Sequence, residues 1–337
     1  MTNPATIVEQ MLITHPSFVR AQEQLEQCFL FSTAKSEAEG LAIIGESGTG
    51  KTSVLSTFKD GHLPSRGADG MKVPVLFVTV PAGPTVKSLA GAMIHGFGAS
   101  DSERGTENDK SRRLRTLMQN TGTRMIMLDE FQHFYDRGKH QIMRHVADWL
   151  KVLIDQTRTT LVVAGLPSCQ IVINENEQLR RRFLAPIQLP RFDWFDEDQR
   201  KQFIGIMEAF NENIVANSYD APKLHSEEMA YQFWCASGGL IAYLSKLLRH
   251  TLRTADAEKR KIICLGDFAY AREASISLPE WPSGLSMPFE DGFELLPTKE
   301  IAKCVGKIGT VTEMPPTTWP RPVQGVIANS AERRRRA

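Results

Sequence analysis

The 337 residues include 42% hydrophobic and 23% charged side chains, a balance that suits one large folded domain plus a smaller one and excludes a disordered or fibrous chain. Lys plus Arg number 40 against 39 Asp plus Glu, so there is no long-range pull toward a polyanion and any contact with nucleic acid must use a local basic patch. Five scattered cysteines without paired short spacing exclude a zinc cluster or disulfide framework. With no bilayer-length apolar run and no signal-peptide pattern in MTNPATIVEQ, a cytoplasmic chain with no membrane partner is expected.

Over residues 5–34 the apolar positions Ile7, Met11, Leu12, Phe18, Leu25, Cys28 and Phe29 recur at helical spacing and break at His15-Pro16. Two short helices are predicted there, in an N-terminal segment spanning 1–34. Strands and helices then alternate: LAII, a helix from Lys51, VPVLFVTV, a helix near Ser88, RMIMLD, a helix over 139–156, TLVVAG, and a short strand over 187–189. This alternation predicts a parallel sheet covered by helices over residues 35–192. Beyond it the pattern is helical alone, over 197–211, 226–236, 240–254 and 266–275, which predicts a small α-helical lid over 193–277. Residues 278–337 hold Pro279, Pro282, Pro288, Pro297, Pro315, Pro316, Pro320 and Pro322 and read as a partly disordered tail. Its Trp281 and Trp319 and the arginines at 333–336 suit either a docking tether or a free terminus. His15, His62 and His95 are isolated and suggest no site.

Residues 45–52 read GESGTGKT between an apolar strand and a helix, the P-loop pattern in the context its mechanism requires. Gly45, Gly48 and Gly50 let the backbone wrap so that the N–H groups of Glu46, Ser47, Thr49 and Ser53 and of the helix start face phosphate oxygens. Lys51 would reach the β- and γ-phosphates of ATP, and Thr52 would ligate Mg²⁺. A plain glycine-rich turn would use the glycines but has no need of lysine followed by threonine. MIMLDEF is an apolar strand ending in Asp129 and Glu130. Asp129 suits a Mg²⁺ contact, and Glu130 suits the general base for an attacking water. Lys51 and Asp129 stand 78 positions apart with the strand VPVLFVTV between them, which points away from small-molecule kinases and toward ATPases that drive conformational work.

Together GESGTGKT, DEFQHF with His133, VVAGLPS, LRRRFLAPIQLPRF and SGGLIAYLSKLLRHTL resemble the TniB/TnsC family of transposon-encoded AAA+ regulators, over residues 34–275. The resemblance implies an α/β AAA+ P-loop fold, a three-layer αβα core of five parallel strands with a helical lid. It implies an ATP- and Mg²⁺-dependent homo-oligomer, ring or helical filament, that wraps double-stranded DNA through sequence-independent backbone contacts. Such an assembly links a TniQ-type target-selection protein to the transposase, with hydrolysis governing disassembly. The run Arg180, Arg181, Arg182 falls where such proteins place an arginine that reaches the neighbouring subunit's γ-phosphate; Arg182 is expected first, then Arg181. The simpler reading of that run is complementation of a helix C-terminus.

Two departures bear on rate: the TLVVAG strand runs into Ala164-Gly165-Leu166-Pro167 without a polar sensor residue, and the lid has no arginine soon after Gly238-Gly239. Slow or partner-stimulated hydrolysis is expected. Lys110, Arg112, Arg113 and Arg115 suit phosphate tracking on DNA, or an ordinary solvated helix face. A helicase loader or initiator-like ATPase remains the alternative within the class, and a P-loop small-molecule kinase the alternative outside it.

Overall fold

The computed structural model describes residues 7–8, 11–32, 39–68, 70–136, 140–276, 281–295 and 297–309. In chain order the elements are α1 (Pro16–Phe31), β1 (Gly40–Ile44), α2 (Lys51–Asp60), β2 (Ser65–Gly67), β3 (Gly70–Lys72), β4 (Val75–Thr79), α3 (Val86–Gly96), α4 (Glu107–Thr121), β5 (Met125–Asp129), α5 (His133–Asp136), α6 (His140–Thr157), β6 (Thr160–Gly165), α7 (Cys169–Asn174), α8 (Glu177–Arg182) and β7 (Ile187–Gln188). Helices α9 (Glu197–Ala216), α10 (Glu227–Ser237), α11 (Ile241–Ala257), α12 (Leu265–Ser275) and α13 (Lys299–Val305) follow.

The five-stranded sheet is parallel throughout, in the order β4-β5-β6-β1-β7. Strands β1, β5 and β6 are buried at every residue, as apolar strands must be when helices cover both faces. On one face Ala42, Ile44, Ile126, Leu128, Leu161 and Val163 pack against α3, α4, α6 and α7. On the other, Leu41, Ile43, Met125, Met127, Val162 and Ala164 pack against α1 and α2. A short antiparallel hairpin, β2–β3, lies outside this sheet and was not anticipated.

Helix α1 of the N-terminal segment therefore covers one face of the sheet. Phe18, Ala21, Leu25 and Cys28 are buried on the sheet, and Arg124 lies 3.9 Å over the Phe29 ring. Pro16 at the helix start costs no hydrogen bond, because the first turn has no internal acceptor, and His15 caps it by accepting from Phe18 N–H at 3.4 Å. Ile7 and Val8 join the lid instead, where Asn213 donates to the Ile7 carbonyl at 2.8 Å.

Helices α9–α13 build a separate buried cluster around Phe203, Phe210, Phe233, Trp234, Leu244 and Phe268. The expected tail enters this cluster: Phe289, Ile301, Val305 and Ile308 are buried in it, and Trp281 packs on its edge. The prolines there prevent long helices, but they do not prevent apolar residues from packing. Residues 310–337, with Trp319 and the arginines at 333–336, lie outside the described residues. Among the described residues no helix is long and apolar enough to cross a membrane.

Candidate functional site

Strand β1 ends at Ile44 and passes into a loop whose Gly45 N–H donates to the Gly165 carbonyl at 3.2 Å, so the loop is tied to the end of β6. Gly48 and Gly50 hold φ of 85° and 95°, a region costly for residues with side chains, and α2 begins at once with Lys51. The Lys51 ammonium donates to the carbonyls of Gly45 at 2.9 Å and Glu46 at 2.7 Å, curling over the loop it belongs to. Burial pulls this ammonium below its ordinary pKa, while the carboxylates of Glu130, Asp129 and Glu46 oppose that shift. Thr49 is buried and donates to the Glu46 carbonyl at 2.9 Å; Ser47, Thr52 and Ser53 are exposed.

Asp129, at the end of β5 and only 2% exposed, accepts from the Thr52 hydroxyl at 2.7 Å. Two hard oxygen atoms from separate elements thus meet at the end of β5. Glu130 turns out of the strand at φ 57°, and its N–H donates to Asp129 Oδ1 at 2.9 Å. Its carboxylate accepts from Gln132 Nε2 and stands 3.8 Å from His133 Nε2.

The site continues into residues that the sequence did not single out. A cavity of about 260 Å³ opens beside Thr49, Gly50 and Ser53, walled by Met11, Ile13 and His15 on one side and by Ile241, Ser245 and Arg249 of α11 on the other. Arg249 therefore reaches the loop's surroundings. Ala242 N–H donates to the Gly48 carbonyl at 3.1 Å, which brings the start of α11 directly onto the loop. Arg191 pairs with Glu46 at 2.6 Å and donates to the carbonyls of Gly238, Val305 and Ile308 at 2.9, 3.1 and 2.7 Å. Glu46 thus faces Arg191 and the lid side of the loop. No local motif signals Arg191, because its partners lie far away in sequence.

The arginine run sits elsewhere. Arg182 is turned inward and pairs with Asp155 of α6 at 2.7 Å, with 16% and 27% of the two side chains exposed. Arg181 forms a solvent-facing pair with Glu177 at 2.5 Å, and Arg180 is exposed. The basic cluster of α4 is likewise not one patch. Arg112 pairs with Asp109 at 2.9 Å, Arg113 donates to the carbonyls of Asp101 and Ser100, and Arg115 contacts Gln156. Lys110 is 5% exposed and lines a cleft of about 630 Å³ together with Thr85, Lys87, Ser88, His95 and Glu103.

The family model for the bacterial TniB protein matches residues 4–194, the span that carries every element of the sheet and the loop just described. The chain belongs to the TniB family. This TniB protein is accordingly an AAA+ ATPase of a transposon-encoded family. No curated protein matches it. Its fold is similar to that of Cdc6p from Pyrobaculum aerophilum, at a TM-score of 0.60 and 14% identity over 82% of this chain and 72% of that one. It is also similar to the ORC2 protein of Aeropyrum pernix solved as ADPNP–ADP complexes, at 0.57 and 14% over 81% and 72%. The ORC1 protein of the same organism, solved in complex with DNA, aligns at 0.56 and 15% over 80% and 69%. At these identities the likeness establishes the AAA+ fold of this TniB protein: a five-stranded parallel αβα core with a helical lid.

Proposed function

We propose that this protein is an ATP-dependent regulator of DNA transposition. In this reading it oligomerises on double-stranded DNA, couples a TniQ-type target-selection protein to a transposase, and disassembles on hydrolysis. Membership of the TniB family, over the span that holds the nucleotide loop, is the observation that supports this most.

The side chains divide the work. Lys51 exchanges its two carbonyl acceptors for phosphate oxygens, a charge-assisted contact stronger than the ones it leaves. Thr52 and Asp129 offer an adjacent hydroxyl and carboxylate, a donor set that fits Mg²⁺. Among the described residues no three His, Cys, Asp or Glu side chains cluster to hold a metal alone, as suits an ion that shares its shell with phosphates and water. When bound, the ion would neutralise charge on the β- and γ-phosphates. Glu130 takes the proton of the attacking water.

For the arginine supplied to a neighbouring subunit, geometry favours Arg181 over Arg182. Arg182 is 16% exposed and held by Asp155, which also pairs with Lys151, whereas the exposed Arg181–Glu177 pair is worth little. For DNA, Arg113 and Arg115 bond to groups of their own chain, whereas Arg112 holds only an exposed pair with Asp109 and stays available to phosphate. The cleft along α3, lined by Lys87, Lys110, His95 and Glu103, offers a further phosphate contact.

Lys51→Ala tests the reading. Losing one charged contact of ~1.5–3 kcal/mol should weaken ATP binding by roughly 10- to 150-fold and remove ATP-dependent retention of duplex DNA on a filter. Retention equal to that of the unaltered protein would contradict the proposal.

A further inference from the structure

We propose that Gln132 is a positioning residue for Glu130, holding its carboxylate at a fixed distance from the end of β6. The inference rests on Glu130 being the base that activates water.

Glu130 leaves β5 in the left-handed region, and its side chain is 40% exposed, so its own backbone does little to fix the carboxylate. A side chain from the following turn does. Gln132 is 6% exposed; its Nε2 donates to Glu130 Oε2, and its Oε1 accepts from the Leu166 N–H at 3.2 Å, one residue past β6. A backbone N–H can only donate, so the amide oxygen must face Leu166 and the amide nitrogen must face the carboxylate. His133 stands on the other side: its Nδ1 donates to the Val80 carbonyl at 3.0 Å, and its Nε2 is 3.8 Å from Glu130, beyond hydrogen-bond distance. Among the described residues Gln132 is then the one side-chain amide that donates to this carboxylate while also anchoring to a neighbouring strand.

Gly165 makes room for this arrangement. A Cβ built there would stand 2.1 Å from Gln132 Oε1 and 2.6 Å from Cys169 Sγ, so any larger residue expels the amide. The sequence Ala164-Gly165-Leu166-Pro167 puts no polar side chain at the end of β6. What the strand offers instead is a vacant volume and an N–H, and Gln132 fills the first and bonds to the second. The polar group that the strand lacks is supplied from the turn after Glu130.

The test compares Gln132→Met, nearly equal in volume but without hydrogen bonds, with Gln132→Asn, an amide one methylene too short to reach both partners. Glu130→Gln serves as the reference, and ATP turnover is measured with duplex DNA present. Losing the tether should lower kcat by about tenfold or more while KM and nucleotide affinity stay within about twofold, since Gln132 bonds to neither Lys51 nor Thr52. Gln132→Asn should fall in the same direction, and it keeps the test alive if Gln132→Met does not fold. Unchanged kcat in both variants, with Glu130→Gln inactive, would overturn the role of Gln132 and leave that of Glu130 standing. Normal turnover by Glu130→Gln would remove the premise itself. A loss shared equally between kcat and nucleotide affinity would also overturn the proposal, because it would mark a general disturbance of the site.

Discussion

At the residue scale, Lys51 satisfies two carbonyls of its own loop, and Thr52 and Asp129 satisfy each other. A nucleotide therefore enters a site whose charges are already aimed and need only exchange partners. Under the proposed function, Glu130 is the residue whose removal separates binding from chemistry. Glu130→Gln should keep ATP affinity and DNA-bound assembly while hydrolysis, followed by phosphate release, falls by roughly a hundredfold or more, the contribution of a general base. Failure of that variant to assemble on DNA would show that Glu130 does something other than activate water. The residues of this site that the sequence revealed are those whose chemistry forces a fixed local spacing, such as Gly45 to Thr52 and the pair Asp129-Glu130. Gln132 meeting Leu166, and Arg191 meeting Glu46, are contacts across long sequence separations between ordinary residue types, so nothing local marks them.

At the scale of elements, helical periodicity identified α1 but could not say what it covers. His15 shows what was hidden. It appeared isolated, yet it caps α1, packs edge-on to Phe192 at 5.4 Å, and lines the cavity beside Thr49 and Gly50. Burial lowers its pKa from 6.5 to about 4. The unfolded chain therefore takes up this proton near pH 6.5 and the folded chain only near 4, so stability is full above 6.5 and declines as pH falls through that window. The linked loss is ~3 kcal/mol at most. Denaturant unfolding of His15→Asn, which keeps an oxygen acceptor for the cap but does not titrate, should show a correspondingly flatter decline between pH 6.5 and 4. Parallel curves for the two proteins would refute this. Other elements resisted sequence reading for different reasons. The β2–β3 hairpin is short and exposed, with no buried periodicity. The basic residues of α4 were legible as charge, but whether they face solvent, a carbonyl or a cleft depends on packing. In the proline-rich segment, Phe289, Ile301 and Ile308 bury themselves in the lid without a long helix among the described residues.

At the scale of the whole molecule, alternating strands and helices gave the parallel sheet because central parallel strands must be apolar throughout. How the sheet couples to the lid was not legible. Arg191 joins the nucleotide loop through Glu46 to the carbonyls of Gly238, Val305 and Ile308, so the loop, the lid and the segment after the lid share one guanidinium. Ala242 adds a direct bond from α11 to Gly48. A change at the phosphates thus has a short physical route to the lid and the C-terminal segment, as the proposed nucleotide-governed assembly requires. The measurement that bears most directly on that claim is electron microscopy of the protein with duplex DNA, with and without a non-hydrolysable ATP analogue. Rings or helical filaments on DNA only when nucleotide is present, with the Arg180–Arg182 helix at the subunit contact, are the expected result. Isolated monomers under both conditions would contradict it.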